Sequence, residues 1–138
     1  MITVKRKVRF VRRPDKSHAI VVADDHPKPP VPAGRVPRIS RLMALAIHFD
    51  RLIREGKVAD LSDLARLAHV TQPRMTQIMN LNHLAPDIQE QLLFLPLVTR
   101  GRDAIHERLV RSIAAVVDWR EQTHAWLSVQ AVRKNGST

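Results

Sequence analysis

The chain has 138 residues, of which 44% are hydrophobic, and this length suits one compact domain with appendages. Its 23 Lys and Arg residues exceed the 13 Asp and Glu residues, and the net charge of +10 favours a polyanionic partner, either nucleic acid or an anionic membrane surface. The absence of Cys excludes disulfides, thiolate zinc sites and cysteine nucleophiles, and the absence of Tyr excludes enzymes that attack DNA with a tyrosine.

The positive charge is concentrated at the start of the chain. Residues 1–38 contain ten Lys or Arg and three Asp, whereas residues 39–95 contain six residues of each sign. We therefore expect attraction to DNA to come mainly from the N-terminal region. No run of 18 apolar residues occurs, and the first ten residues carry charges where a signal peptide would be apolar. These features predict a cytoplasmic, nucleoid-associated protein without a membrane partner.

The basic segment, residues 1–25, contains near its start the stretch ITVKRKVRFVRR, in which apolar and basic side chains alternate, and this pattern predicts a strand with one apolar and one basic face. The segment RPDKS is typical of a turn, and HAIVVA would be a returning strand. Because a two-stranded ribbon is marginally stable alone, it would have to dock or pair with a second copy. The alternative is a disordered basic arm. In either form we expect phosphate contacts from Lys5, Lys7, Arg9, Arg12 and Arg13.

A linker and a first helix follow. Residues 26–37 carry five prolines, so we expect an extended linker there. Residues 38–55 have helical periodicity, and Gly56 supplies a C-terminal stop. The residues expected on the buried face of this helix are Ile39, Leu42, Met43, Ala46, Ile47 and Ile53.

The stretch LARLAHVTQPRMTQIMN, residues 64–80, has the spacing of a helix-turn-helix unit. Asp60 or Ser62 can cap the first helix, and Thr71 can cap the second. His69 occupies the turn position that requires a positive φ, and His is one of the few non-glycine residues enriched there. The residues expected to pack between the helices are Ala65, Val70, Met75, Ile78 and Met79.

If those apolar residues point inward, the second helix must expose a polar face. Amide side chains can pair with adenine and Arg with guanine in the major groove, so this face is suited to base reading. The alternative is an ordinary solvated face. Ser62 and Thr71 can act as caps, as phosphate contacts or as both. The residues expected to contact bases are Gln72, Pro73, Arg74, Thr76, Gln77 and Asn80.

The C-terminal part, residues 97–138, follows a domain that we place at residues 38–96. A helix starting at Pro86 and ending at Pro96 is expected to pack Ile88, Leu92 and Phe94 on the first helix. Asp103 is expected to cap the next helix, and Asp118 with Glu121 forms a capping box for the last one. The two tryptophans of that last helix would cover the core or form a dimer contact; they are Trp119 and Trp126.

The segment AHVTQPRMTQIMNLNHLAPDIQEQLLFLP resembles the helix-turn-helix proteins related to the ParB and KorB group, of the kind encoded beside site-specific recombinases on bacterial mobile elements and phages. The resemblance continues into RGRDAIHERLVRSIAAVVDWREQTHAW and covers roughly residues 36–126. It implies a mainly α fold with a tri-helical DNA-binding core, additional C-terminal helices and no catalytic activity. The basic segment 1–25 lies outside it.

Catalytic patterns are sparse. The seven His residues form no H-x-x-x-H pair, no glycine-rich phosphate loop occurs, and His106 and Glu107 are expected to face solvent. We therefore expect no enzyme activity, cofactor, metal or small-molecule substrate. The expected function is binding of double-stranded DNA as a homodimer for transcriptional regulation. The alternatives are an accessory role in recombination or segregation, and a non-catalytic module that binds RNA or another polyanion.

Overall fold

The structure, a computed structural model, describes residues 2, 3, 5, 8–12, 18–22, 29–30 and 33–135, and it is mainly helical. Its contacts divide the chain into two units, Met1–Pro32 and Ala33–Thr138. The predicted segments 38–96 and 97–138 therefore belong to the same compact unit. The cause is that the C-terminal helices contribute side chains to the main core, as described below.

In the first unit, two five-residue strands, β1 (Val8–Arg12) and β2 (His18–Val22), pair in antiparallel register. Phe10 lies opposite Ile20, and Arg12 lies opposite His18. The predicted turn at residues 13–17 lies outside the described residues. A pair of strands this short has little surface to bury by itself. Few contacts therefore offset the conformational entropy that is lost when the two segments become ordered.

The second unit contains six α-helices and one short 3₁₀ helix within the described residues. None of these helices is both long enough and apolar enough to cross a membrane. The α-helices are α1 (Arg38–Arg54), α2 (Leu61–Leu67), α3 (Gln72–Met79), α4 (Pro86–Leu93), α5 (Glu107–Ala114) and α6 (Trp119–Asn135), and the 3₁₀ helix is Asn80–His83.

Helix α1 lies at the centre of the packing, because it contacts α3, the 3₁₀ helix and α4. Its predicted face is buried at Ile39, Leu42, Met43 and Ala46, but Ile47 is partly exposed. The helix ends before Gly56, whose φ of +70° continues the chain out of the helix, as predicted. The buried residues of α1 belong to a large core that also includes Leu81, Leu84, Ile88, Leu92, Val110, Ile113 and Trp126.

A second, smaller core lies under α2 and α3. Its buried members are Val58, Leu64, Ala65 and Met75. Phe49 of α1 packs against both cores, so α1 connects the α2–α3 pair to the rest of the unit.

The start of α1 is capped from a distant loop, which corrects the predicted role of Asp103. Pro37, at the N-cap position, has no side chain that can accept a hydrogen bond, and Asp103 Oδ2 instead accepts one from the Arg38 backbone N–H at 2.9 Å. Helix α5 begins only at Glu107, after His106, so Asp103 lies too early to cap it. The loop is held in place because Arg35 and Val98 exchange backbone hydrogen bonds of 3.0 and 2.8 Å.

Helix α6 is fixed to the core by a buried amide that the sequence pattern did not reveal. Gln122 is fully buried, and its Oε1 accepts a hydrogen bond from the Ala85 N–H at 2.8 Å. Its Nε2 donates to the carbonyl oxygens of His83 at 3.1 Å and Val116 at 2.7 Å. Because a buried amide without partners would cost free energy, this complete set of bonds fixes the position of α6.

The predicted role of Phe94 is wrong, and of the two alternatives left open for Trp126 the structure shows the core. Phe94 is 78% exposed, because α4 ends at Leu93 and the backbone leaves the helical register at Phe94. Trp126 is only 1% exposed and belongs to the large core, where its Nε1 donates to Gln91 Oε1 at 2.8 Å. A side chain buried in this way has no surface to offer a second copy, so Trp126 is not a dimer contact. Trp119 is 54% exposed.

We expect Trp126→Ala to lower the free energy of unfolding by about 3–5 kcal/mol, because it removes a fully buried aromatic side chain and leaves a cavity. Trp119→Ala is the matched control on the same helix, and it should cost about 1 kcal/mol or less, since most of that side chain already contacts water. Urea unfolding followed by circular dichroism measures both values. Equal costs for the two variants would contradict the assignment of Trp126 to the core.

Candidate nucleic-acid interface

Helix α2 begins at a capping carboxylate. Asp60 Oδ1 accepts a hydrogen bond from the Asp63 N–H at 2.8 Å, so Asp60, rather than Ser62, is the cap. The Ser62 hydroxyl instead accepts a hydrogen bond from Gln72 Nε2 at 2.9 Å. That bond joins the first turn of α2 to the first turn of α3.

The turn between α2 and α3 has the backbone conformation that the sequence predicted. His69 has a φ of +56°, which is the left-handed region. The Val70 N–H then donates to the Ala65 carbonyl oxygen at 3.1 Å, and the Val70 side chain packs against the smaller core. The turn therefore ends α2 and brings the chain back across it.

Helix α3 buries the predicted apolar face. Thr71 is its N-cap and accepts a hydrogen bond from the Arg74 N–H at 3.3 Å, while Pro73 lies in the first turn. Met75 and Ile78 are buried. The inward face of this helix is thus confirmed, and its remaining side chains must lie on the other side.

The outward side of α3 carries five of the six predicted base-contacting residues, and the sixth, Asn80, follows directly at the start of the 3₁₀ helix. Gln72, Pro73, Thr76 and Asn80 are exposed, whereas Arg74 and Gln77 are half-buried. The Thr76 hydroxyl donates to the Gln72 carbonyl oxygen at 3.1 Å, so its hydrogen is used within the helix. The helix therefore brings the six residues together on one side, although not all of them are equally accessible.

The sequence pattern predicts that Arg74 projects freely into solvent, and this prediction is wrong. Its guanidinium forms a bidentate ion pair with the Glu107 carboxylate of α5, with Nη2 at 3.1 Å from Oε2 and Nη1 bonded to Oε1. Nη1 also donates to Gln77 Oε1 at 3.2 Å. Glu107, expected to face solvent, has a side chain that is only 17% exposed. The reason is that α5 packs beside the end of α3 through the 3₁₀ helix.

The pKa values of both partners favour the charged form of this pair. The hydrogen bond from Arg74 holds the pKa of Glu107 below its usual range against the opposing effect of burial, and the charges of Arg74, Arg111 and Arg38 act in the same direction. The same hydrogen bond raises the pKa of Arg74. Arg111 Nε lies 3.8 Å from Glu107 Oε1. The carboxylate therefore stays ionised and holds Arg74 in one orientation.

Glu107 and Arg111 are thus part of the α3 surface, although sequence reasoning did not include them. Their four-residue separation on one helix was a visible signal that they could interact with each other. Nothing in the sequence indicated that α5 would lie beside α3. An open groove of about 760 Å³ adjoins this surface, and its lining includes Gln77, Asn80, Arg111 and Trp119.

The remaining predicted phosphate contacts belong to the first unit. Lys5 is exposed, and the backbones of Arg9 and Arg12 form part of β1. Lys7 and Arg13 lie outside the described residues. Trp119 Nε1 donates to the His83 carbonyl oxygen at 3.3 Å, which places this indole at the edge of the groove.

Comparisons with known proteins found no similar protein. No protein-family model matches the chain, and neither the curated proteins nor the solved structures contain a significant match. Within the described ranges, no group of three His, Asp or Glu residues is arranged to hold a metal ion.

We expect Glu107→Gln to lower stability by about 1–3 kcal/mol near neutral pH, because it removes a charge-assisted bidentate pair. Because the pKa of Glu107 is lower in the folded protein, its ionised form contributes to stability. That contribution is fully present above the unfolded-state pKa of Glu, about 4.3. This contribution is lost as the pH falls through the lower folded-state pKa. Thermal melts across pH should therefore show a gap between parent and variant that narrows below about pH 4.

Glu90→Gln serves as the control for that experiment, because Glu90 is exposed and forms no ion pair with any described residue. Its melts should follow those of the parent across the same pH range. A gap for Glu107→Gln that stayed constant with pH would contradict the ion-pair assignment.

Proposed function

We propose that this protein binds double-stranded DNA in a sequence-specific manner, with α2 and α3 acting as a helix-turn-helix unit and α3 entering the major groove. One observation carries the proposal. Helix α3 buries Met75 and Ile78 and turns a continuous polar face outward, and the sharp turn at His69 sets it across α2. A helix whose inner face is packed against the protein in this way can present its exposed side chains to base edges.

The chemistry of the outward face supports base reading. The side chain of Asn80 offers a donor and acceptor pair that matches the N6 and N7 groups of adenine. Gln77 offers the same pair, with Nε2 as donor and the second lone pair of Oε1 as acceptor, because Arg74 Nη1 already occupies the first. Both terminal nitrogens of Arg74 are bonded to the Glu107 carboxylate, so Arg74 must release Glu107 before it can donate hydrogen bonds to guanine. We therefore assign most of the expected discrimination to the amides and a smaller part to Arg74.

The biological role that we propose is transcriptional regulation on a bacterial mobile element or phage. This part rests on the resemblance of residues 36–126 to the ParB and KorB group. The phosphate contacts proposed for the N-terminal segment, including those of Lys5, Arg9 and Arg12, would add affinity that does not depend on sequence.

We also propose that the protein acts as a homodimer. A single helix reads too few base pairs for genomic specificity, and a dimer doubles the site. With Trp126 in the core, the candidate contacts are the exposed Trp119 and the ribbon of β1 and β2, which has little to pack against by itself.

Gln77→Ala and Asn80→Ala should each weaken binding to the specific site by about 1–3 kcal/mol and affect random duplex much less, because base contacts carry discrimination. The site would first be obtained by enrichment of bound fragments from a random DNA pool. Gln130→Ala on α6 is the matched control, because it removes the same amide from a different helix. If Gln77→Ala and Asn80→Ala both bound the specific site as tightly as Gln130→Ala, α3 would not be the reading helix.

For the oligomeric state, multi-angle light scattering should give twice the monomer mass for the free protein, or that mass plus the mass of the duplex for the complex. Trp119→Ala would reduce this mass if the dimer forms through the exposed indole, and would leave it unchanged if the ribbon forms the contact. A monomer mass for the parent protein, both alone and on DNA, would contradict the homodimer.

A further inference from the structure

Six arginines from four separate parts of the chain converge near the start of α1. Asp103 marks their centre, because it is paired with the Arg35 side chain and accepts a hydrogen bond from the Arg38 backbone. A shallow pocket of about 220 Å³ brings the 100–102 loop together with Pro37 and with the end of α6. We call this set the arginine cluster; its members are Arg35, Arg38, Arg41, Arg100, Arg102 and Arg133.

The arginine cluster has little compensating charge. Arg35 pairs with Asp103, whereas the side chains of the other five members form no ion pair with any described residue. Three arginines elsewhere in the unit differ in this respect, since Arg51, Arg54 and Arg66 each pair with an acidic residue three or four positions away. The cluster is therefore a positive surface that the fold leaves open to solvent.

The acid at its centre stays ionised and serves the fold. The Arg38 N–H, the hydrogen bond from Arg35 and the charge of Arg41 hold the pKa of Asp103 below its usual range. Both oxygens of Asp103 are occupied, one by Arg35 and one by the α1 backbone. The carboxylate thus anchors the loop to α1, and it leaves the remaining guanidinium groups for another partner.

The arginine cluster is electrostatically continuous with α3. Arg38, at the first position of α1, is close enough for its charge to act on Glu107, the partner of Arg74. Arg38 and Arg41 are three residues apart, so they lie on the same side of α1. Arg38 therefore lies beside the 100–102 loop, through the bond of its backbone N–H to Asp103, and its charge also acts on Glu107 next to α3.

We propose that the arginine cluster binds the phosphodiester backbone of the same DNA duplex whose bases α3 reads. Guanidinium groups bind phosphate oxygens in bidentate geometry, and phosphates flanking a major-groove helix lie where a basic surface continuous with that helix would meet them. This inference rests on the proposed function. It adds a phosphate-binding surface in the folded unit to the one expected in residues 1–25, where the charge distribution alone had placed most of the attraction.

The experiment compares the full chain with Arg100→Gln, Arg102→Gln and the double variant, and measures duplex affinity across a series of salt concentrations. Each lost phosphate contact should reduce the slope of log K against log salt by roughly 0.9, and the double variant should lose about twice that amount. Both variants should weaken specific and random duplexes by the same factor, because phosphate contacts carry no sequence information. The ratio of the two affinities should stay that of the parent.

Arg51→Gln with Arg54→Gln is the matched control, since it removes the same charge from arginines that are already paired. These residues lie about 20 Å from Arg38 and Arg41 along α1, at 1.5 Å per residue. Circular dichroism melts verify that all variants fold. If the parent binds DNA and the Arg100 and Arg102 variants keep the slope of this control, the arginine cluster does not contact DNA. If the parent binds no duplex at all, the proposed function and this inference both fail.

Discussion

The ion pair between Arg74 and Glu107 is the constraint on which the candidate interface depends. It joins α3 to α5 through two parallel hydrogen bonds between residues that lie 33 positions apart in the sequence. Because the geometry of such a pair is planar and directional, it fixes the rotation of the Arg74 side chain and the position of the α5 N-terminus at once. The outward face of α3 is therefore shaped by the C-terminal helices as well as by α2.

This coupling has an electrostatic consequence for a DNA-binding surface. A carboxylate within the interface repels phosphates, yet Glu107 is surrounded by Arg74, Arg111 and Arg38, so its charge is offset where a phosphate would approach. Asp103 has the same arrangement beside α1, where Arg35 and the Arg38 backbone occupy it. In both places an acid organises arginines while the surface remains basic.

Local signals in the sequence predicted much of the fold. The caps Asp60 and Thr71 and the positive φ of His69 follow from residues within a few positions of each other, as does the buried face of α1, apart from Ile47. Two failures are local, since α4 ends one residue before Phe94 and Ile47 lies at the edge of the buried face of α1, but the failures at the candidate interface involve contacts distant in sequence. Asp103 caps a helix 65 residues earlier, and Arg74 meets an acid 33 residues later. Periodicity describes which side of a helix is apolar, but it does not say which polar residues of two helices will meet. The same limit applies to Trp126, because its spacing from Trp119 fitted a core or a surface equally well.

Gln122 determines how far the protein can be shortened. Its side-chain amide forms hydrogen bonds with backbone groups on both sides of the junction between the 3₁₀ helix and α4. It also bonds a carbonyl oxygen of the loop that precedes α6. A fragment ending before α6 would leave the Ala85 N–H and two carbonyl oxygens without those partners, and would uncover the space that Trp126 fills. The minimal folding unit around α3 consequently extends to the last helix. The α2–α3 pair, which looks self-contained in the sequence, is therefore not an excisable module.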